Sequence, residues 1–138
     1  MSRRKLGRRQ DGQAMVEFVI VAPILLLLVF GLVQFGILFN NYVTLTDAVR
    51  TGARQAAVSR SLQDPVGTTV NRVTRAAGHL KTSDLEVSVD AYDPVSGTPT
   101  WAQGGDVTVT ASYPYSINLL GFVVKSGRIS SQTTERVE

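Results

Sequence analysis

The stretch "GQAMVEFVIVAPILLLLVFGLVQFGILF", Gly12 to Phe39, decides the fold, because from Phe18 to Phe39 it holds no charged side chain while an acid, Glu17, stands directly before that block. As an α-helix the 22 residues of the block rise about 33 Å at ~1.5 Å each, which matches the roughly 30 Å hydrocarbon core of a bilayer. A membrane span is the expectation. Pro23 near the start of the block and the neutral amide Gln34 near its end are both tolerated in lipid-embedded helices. The core helix of a soluble protein fits poorly, since such helices rarely run this far without a charge.

The formal charge of +3 is unevenly spread. Arg3, Arg4, Lys5, Arg8 and Arg9 oppose only Asp11 in residues 1–12, a net +4, which leaves −1 for residues 13–138. The high pI therefore describes the head of the chain, and nucleic-acid binding by the body is not expected. Five basic residues ahead of the block, against Arg50 and Arg54 behind it, predict a cytoplasmic N-terminus and a body outside the cytoplasmic membrane. The chain has no cysteine, so that body must be held by packing rather than by disulfides or thiolate-bound metal.

Beyond Phe39 the pattern stays helical but becomes two-faced. Tyr42, Leu45, Val49, Gly52, Ala53 and Ala56 recur at steps near three and four, while Asp47, Arg50 and Arg54 fall on another stripe. The small residues Gly52, Ala53, Ala56 and Ala57 admit a closely packed backbone, either the chain's own sheet or a neighbouring subunit. Asp64-Pro65 reads as a stop, and Val66, Val70, Val73, Ala77 and Leu80 outline a second, shorter helix. From Asp84 the period drops to two: Leu85, Val87, Val89 and Ala91 form one strand, and Val107, Val109, Ala111 and Tyr113 a second. Pro114 ends or edges the second strand. Ser116 to Val124 reads as an apolar connection too short to span a bilayer, and Ile129 to Val137 as a last, polar strand. The expected fold is α+β and pilin-like: a long N-terminal helix, transmembrane and then amphipathic, a short second helix and a small antiparallel sheet. Its parts are a basic leader (1–12), a membrane helix (13–39) and an external domain (40–138).

A basic leader, Gly12, the four residues Gln13-Ala14-Met15-Val16, then Glu17-Phe18 and a long apolar helix make up the arrangement of a class III signal. On these residues the chain resembles the TadE-like proteins, minor pseudopilins of the tight-adherence (Flp, type IVb) pilus. The likeness extends to the proline at position 23, to "DAVRTGARQAAV" (47–58) and, more loosely, to the C-terminal strands. Phe18 stands where such pilins often have tyrosine, and Gln34 where relatives often have an acid. The resemblance implies cleavage by a membrane prepilin peptidase between Gly12 and Gln13, methylation of the new amine, and a part for Glu17 and Phe18 in processing and assembly. It further implies a role in adhesion and biofilm formation, with the peptidase, a second TadE- or TadF-like subunit, the Flp pilin and the assembly platform as partners. A major pilin of this class is little more than the helix, so the added domain points to a minor subunit.

The physics agrees with that resemblance. Glycine lets an extended backbone lie in a peptidase cleft, and the basic leader keeps the scissile bond on the cytoplasmic side. A carboxylate at the centre of a membrane helix costs about 2.5–3.5 kcal/mol on insertion scales and less near an interface, so Glu17 either sits among headgroups or has a cationic partner. No other chemistry is spelled out. His79 is the only histidine, which rules out a histidine metal cluster, and it reads as a surface residue. Asp90, Asp93 and Asp106 flank a glycine-rich loop as turn formers more readily than as calcium ligands, Trp101 reads as the lid of a small core sooner than as an exposed contact, and Gly104-Gly105 lacks the lysine and helix of a phosphate loop. No enzyme, metal or cofactor is expected. The competing reading is an unprocessed single-span protein with an external ligand-binding or regulatory domain; a conventional secreted protein fits worse, since Phe39-Asn40-Asn41-Tyr42 offers no small-residue cleavage site.

Overall fold

The computed structural model describes residues 7–119 and 121–138; Arg3, Arg4 and Lys5 of the basic leader lie outside the described residues. The element order is α1 (Gly7–Ala57), α2 (Pro65–Ala76), a short 3-10 turn (Thr82–Asp84), then β1 (Glu86–Tyr92), β2 (Asp106–Leu119) and β3 (Phe122–Arg136). The strands form one antiparallel sheet in the order β1-β2-β3. This is the α+β arrangement expected from the shift of apolar period from near 3.6 to two.

The helix α1 carries no break where its apolar block gives way to the two-faced stretch. Between Gly12 and Ala57 it is long and apolar enough to cross a membrane. Large side chains of the block, from Phe18 through Phe39, stay exposed, whereas Leu45, Ala48, Val49, Ala53 and Ala56 are fully buried. These buried positions pack with Val73, Ala77 and Leu80 of the α2 region and with Val107, Val109 and Ala111 of β2 as one core. The core thus lies between the last third of α1, α2 and one face of the sheet. Both helices lie on the sheet, α1 against β2 and β3 and α2 against β1.

Asp64-Pro65 serves as the start of a helix as much as the end of one. Helix α1 has already stopped at Ala57, and the Asp64 carboxylate caps α2 by accepting from Gly67 N at 2.7 Å, with Pro65 in the first turn. The buried face of α2 is Thr69 and Val73, continued by Ala77 and Leu80, while Val66 is exposed; the expected stripe was right in its second half.

The reading of Ser116 to Val124 as a connection is corrected by the structure. Strand β2 runs on through Pro114 to Leu119, and β3 begins at Phe122, so the pair forms one long hairpin with Leu119 opposite Phe122. Gly121, at φ +90°, occupies its turn, a left-handed geometry that glycine adopts without steric penalty. The partner β1 matches β2 only from Asp106 to Ser112, so Pro114 sits where one edge of β2 is free and its missing N–H leaves no ladder bond unmade. Opposite Tyr115, Gly127 leaves room for the ring: a Cβ there would sit 3.1 Å from it.

Candidate functional site

The sequence directs attention to the head of α1. Gly12, Gln13, Glu17 and Phe18 are all exposed and all lie within the helix. A Cβ added at Gly12 would meet nothing within 4 Å, so packing does not require glycine there. Glycine is about 1 kcal/mol less favourable than alanine in a helix interior, so the head of α1 opens most easily at this position. One turn further on, the Gln13 side-chain amide donates to a Glu17 carboxylate oxygen at 3.3 Å. That is the one protein partner given to Glu17 among the described residues.

After Glu17 the surface is apolar on every side. Phe18, Pro23 and Phe39 all lie on α1 with no cover from the rest of the described chain. Phe35 and Phe39, one turn apart, stack with ring centres 6.5 Å apart. Gly31 and Gly36 leave notches into which a Cβ would protrude without meeting an atom. Apart from the side of Gln34 and Leu38 that faces Tyr113 to Ile117 of β2, the apolar block is therefore available to lipid or to neighbouring helices.

The small-residue stretch further along α1 is already occupied. A Cβ on Gly52 would overlap Val73 Cγ2 and lie 3.7 Å from Val109 Cγ1; of the two expected uses of these residues, the chain's own α2 and sheet take the stripe. Charged residues fall on the opposite side, where Asp47 and Arg50 approach to 3.8 Å as an exposed pair, an interaction contributing about 0.2–0.5 kcal/mol on a helix.

The C-terminal end of α1 is closed from far along the chain, a feature the sequence did not signal. The Trp101 indole N–H donates to Ala56 O at 3.0 Å, and Glu138 N donates to Ala57 O at 3.0 Å. Helix ends leave carbonyls without intrahelical donors; Ala56 O also accepts from Ser59 N at 3.0 Å, so Trp101 adds a second bond there, while Glu138 brings a remote donor to Ala57 O. Trp101 packs against the core as its lid, as expected. The loop before it is held by Asp93, whose carboxylate accepts from Ser96 Oγ at 2.5 Å and from Val95 N at 2.9 Å. These bonds, the serine hydroxyl foremost, favour the charged form and hold the Asp93 carboxyl below its ordinary pKa. Asp90, Asp93 and Asp106 do not form a metal-binding group with one another, and no such group occurs among the described residues. Shallow grooves line the domain, one between Val66, Val89, Tyr92 and Trp101, another beside Gln55, Asn71, Arg72 and Arg75.

Residues 12–54 match the model of the family described as TadE-like protein. The matched segment opens on Gly12, takes in Glu17 and the whole apolar block, and ends on the buried part of α1 at Arg54. The match falls on the residues whose pattern resembles that family, and it covers less than half of the chain. Neither the curated proteins nor the solved structures contain a match to this chain.

Proposed function

We propose that this chain is a minor pilin-like subunit of a tight-adherence pilus system, anchored by α1, cut between Gly12 and Gln13, and acting in pilus assembly rather than in catalysis. The observation that carries the reading is Glu17: an exposed carboxylate at the threshold of an apolar helix, one turn after Gln13, inside the family match that opens at Gly12. Before processing, Glu17 has a neutral amide beside it. Cleavage replaces the leader with a Gln13 ammonium, and the same amine on an adjacent subunit is the cation that a carboxylate in lipid needs. Pairing Glu17 with a neighbour's amine compensates both charges and sets the axial offset between two otherwise smooth apolar helices, a use of buried charge for register.

Orientation follows the charge asymmetry: leader in the cytoplasm, folded domain outside the cytoplasmic membrane. In this reading the partners are the prepilin peptidase, a second TadE- or TadF-like subunit, the Flp pilin and the assembly platform, and the outcome is adhesion and biofilm formation. Mass spectrometry of the protein from cells that express the peptidase is the direct test. The expected mature chain begins at a methylated Gln13; a chain that keeps its arginine-rich head while pili form normally refutes the proposal and favours the unprocessed membrane anchor. Glu17→Ala should still be cleaved yet abolish pilus formation, and normal piliation in that strain removes Glu17 from the mechanism.

A further inference from the structure

The β2–β3 hairpin is far longer than the domain requires. Strand β2 starts at Asp106, beside the C-terminal end of α1, where Gly104 and Gly105 bond with Val137 and Glu138 bonds with Ala57. It then runs antiparallel to α1, so that Tyr113, Pro114, Tyr115 and Ile117 come to flank Gln34, Leu38 and Asn41. Leu119 and Phe122 close the ladder two residues beyond Ile117, about 7 Å further at the strand rise. That direction leads toward the N-terminus of α1, alongside the apolar block.

The chemistry of the hairpin changes along this path. Its tip is apolar and uncovered: Phe122 is 77%, Val123 63% and Val124 62% exposed. Just behind it come Lys125, opposite Ile117, and Tyr115, opposite Gly127, then Arg128, paired with Glu86 at 3.0 Å. Apolar residues, then tyrosine and lysine, then a solvated ion pair is the order met on leaving a bilayer, with aromatic and long basic side chains at the headgroup level. A water-exposed patch of this kind is unfavourable on a soluble domain, and here it continues the surface of the helix that is itself apolar enough to cross a membrane.

We propose that the hairpin tip, Leu119 with Phe122, Val123 and Val124, dips into the outer lipid leaflet beside α1, with Lys125 at the phosphate level. The inference rests on the reading of α1 as a membrane span. It gives the domain a second point of contact with lipid, which fixes its tilt and its rotation about α1. The free edges of a two-stranded hairpin carry unpaired backbone groups, which hydrocarbon does not solvate, so insertion stops where Lys125 meets the headgroups, and this puts the outer boundary of the span near Gln34, beside Ile117.

The absence of cysteine from the chain permits single-site labelling of the full-length protein. Phe122→Cys, Leu25→Cys and Val95→Cys, each carrying an environment-sensitive fluorophore, are reconstituted in vesicles of phosphatidylethanolamine and phosphatidylglycerol doped with nitroxide lipids that quench near the carbonyls or deep in the acyl chains. The Phe122 label should shift to the blue and lose most of its emission to the shallow quencher, the Leu25 label to the deep one, and the Val95 label to neither. Val123→Cys should repeat the Phe122 result and guards against a local effect of one substitution. A Leu25 label that no lipid quenches overturns the span itself. A quenched Leu25 label beside a Phe122 label that behaves like Val95 overturns the hairpin proposal alone, as does a Phe122 label shielded from aqueous iodide but unquenched by lipid, which would mean that protein covers the tip.

Discussion

Residues 18–39 and 42–57 belong to one uninterrupted helix yet handle their apolar surface in opposite ways. The first region is large-residue and apolar around its whole circumference, and nothing in the described chain covers most of it. The second leaves Tyr42 and Val43 exposed but gathers Leu45, Ala48, Val49, Gly52, Ala53 and Ala56 on one stripe, small toward its C-terminal end, and buries them under α2 and the sheet. The difference teaches that side-chain size and periodicity choose the solvent. Bulky residues on all sides call for a medium that is apolar on all sides, whereas glycine and alanine on one face let a second backbone approach and exclude water.

The sharpest way to break this comparison is to truncate one leucine in each region. Leu45→Ala, fully buried, should destabilise the domain by about 2–5 kcal/mol through lost burial and a residual cavity. Leu27→Ala, in the uncovered block, should shift it by no more than about 0.5 kcal/mol. Urea unfolding of the full-length chain in detergent, followed by Trp101 fluorescence, measures both, and equal losses would mean that the two regions are not energetically distinct.

Adding volume is the complementary test. Gly52→Val forces a side chain into Val73 and should cost about 1–3 kcal/mol, part of it recovered in the double variant with Val73→Ala. Gly36→Val projects into open space and should leave the unfolding midpoint of the domain where it was. A harmless Gly52→Val would show that the helix pair has slack.

A smaller effect sharpens the boundary where α1 ends. Trp101→Phe keeps part of the ring system but removes one of the two donors to Ala56 O, leaving Ser59 N, and a hydrogen bond of this kind contributes about 1 kcal/mol net. The same unfolding assay, read by circular dichroism, should show a lowered midpoint with an unchanged slope.

The smallest effect is in the loop before Trp101. The Asp93 carboxyl is held below its ordinary pKa by Ser96 and Val95, so the charged form is the one the fold favours. Its contribution is present above the ordinary carboxylate range and is lost as pH falls through the lowered value. Titration of the Asp93 carboxyl by NMR should give a depressed midpoint, and Asp93→Asn should flatten that part of the acid limb of stability; an ordinary midpoint would contradict the hydrogen bonds.

Much of this was legible from residue patterns. An uncharged run the length of a bilayer, the alternating strands and the Asp64-Pro65 signal are local features that need no partner to be read. Harder were the elements whose meaning depends on what lies beside them. "SINLLGFVV", Ser116 to Val124, breaks strict alternation at a bulge between Ile117 and Asn118, so the period-two signal failed where the hairpin continues. The small stripe on α1 was compatible with two coverings because small residues announce close approach without naming the neighbour. Val66 fitted the helical spacing of α2 but falls at its first turn, beyond the reach of the core.

By itself, the order of residues determined the long helix, the α+β class, and the placing of a glycine and a glutamate at the helix head, because these follow from covalent spacing and from the presence or absence of charge along a few turns. Only the tertiary structure decided that α2 and the sheet cover the stripe around Gly52, that Trp101 and Glu138 bond the last carbonyls of α1, and that an apolar hairpin runs beside the apolar block of that helix. Those outcomes join residues tens of positions apart, and such contacts are settled by how whole surfaces fit together and not by any pattern within one segment.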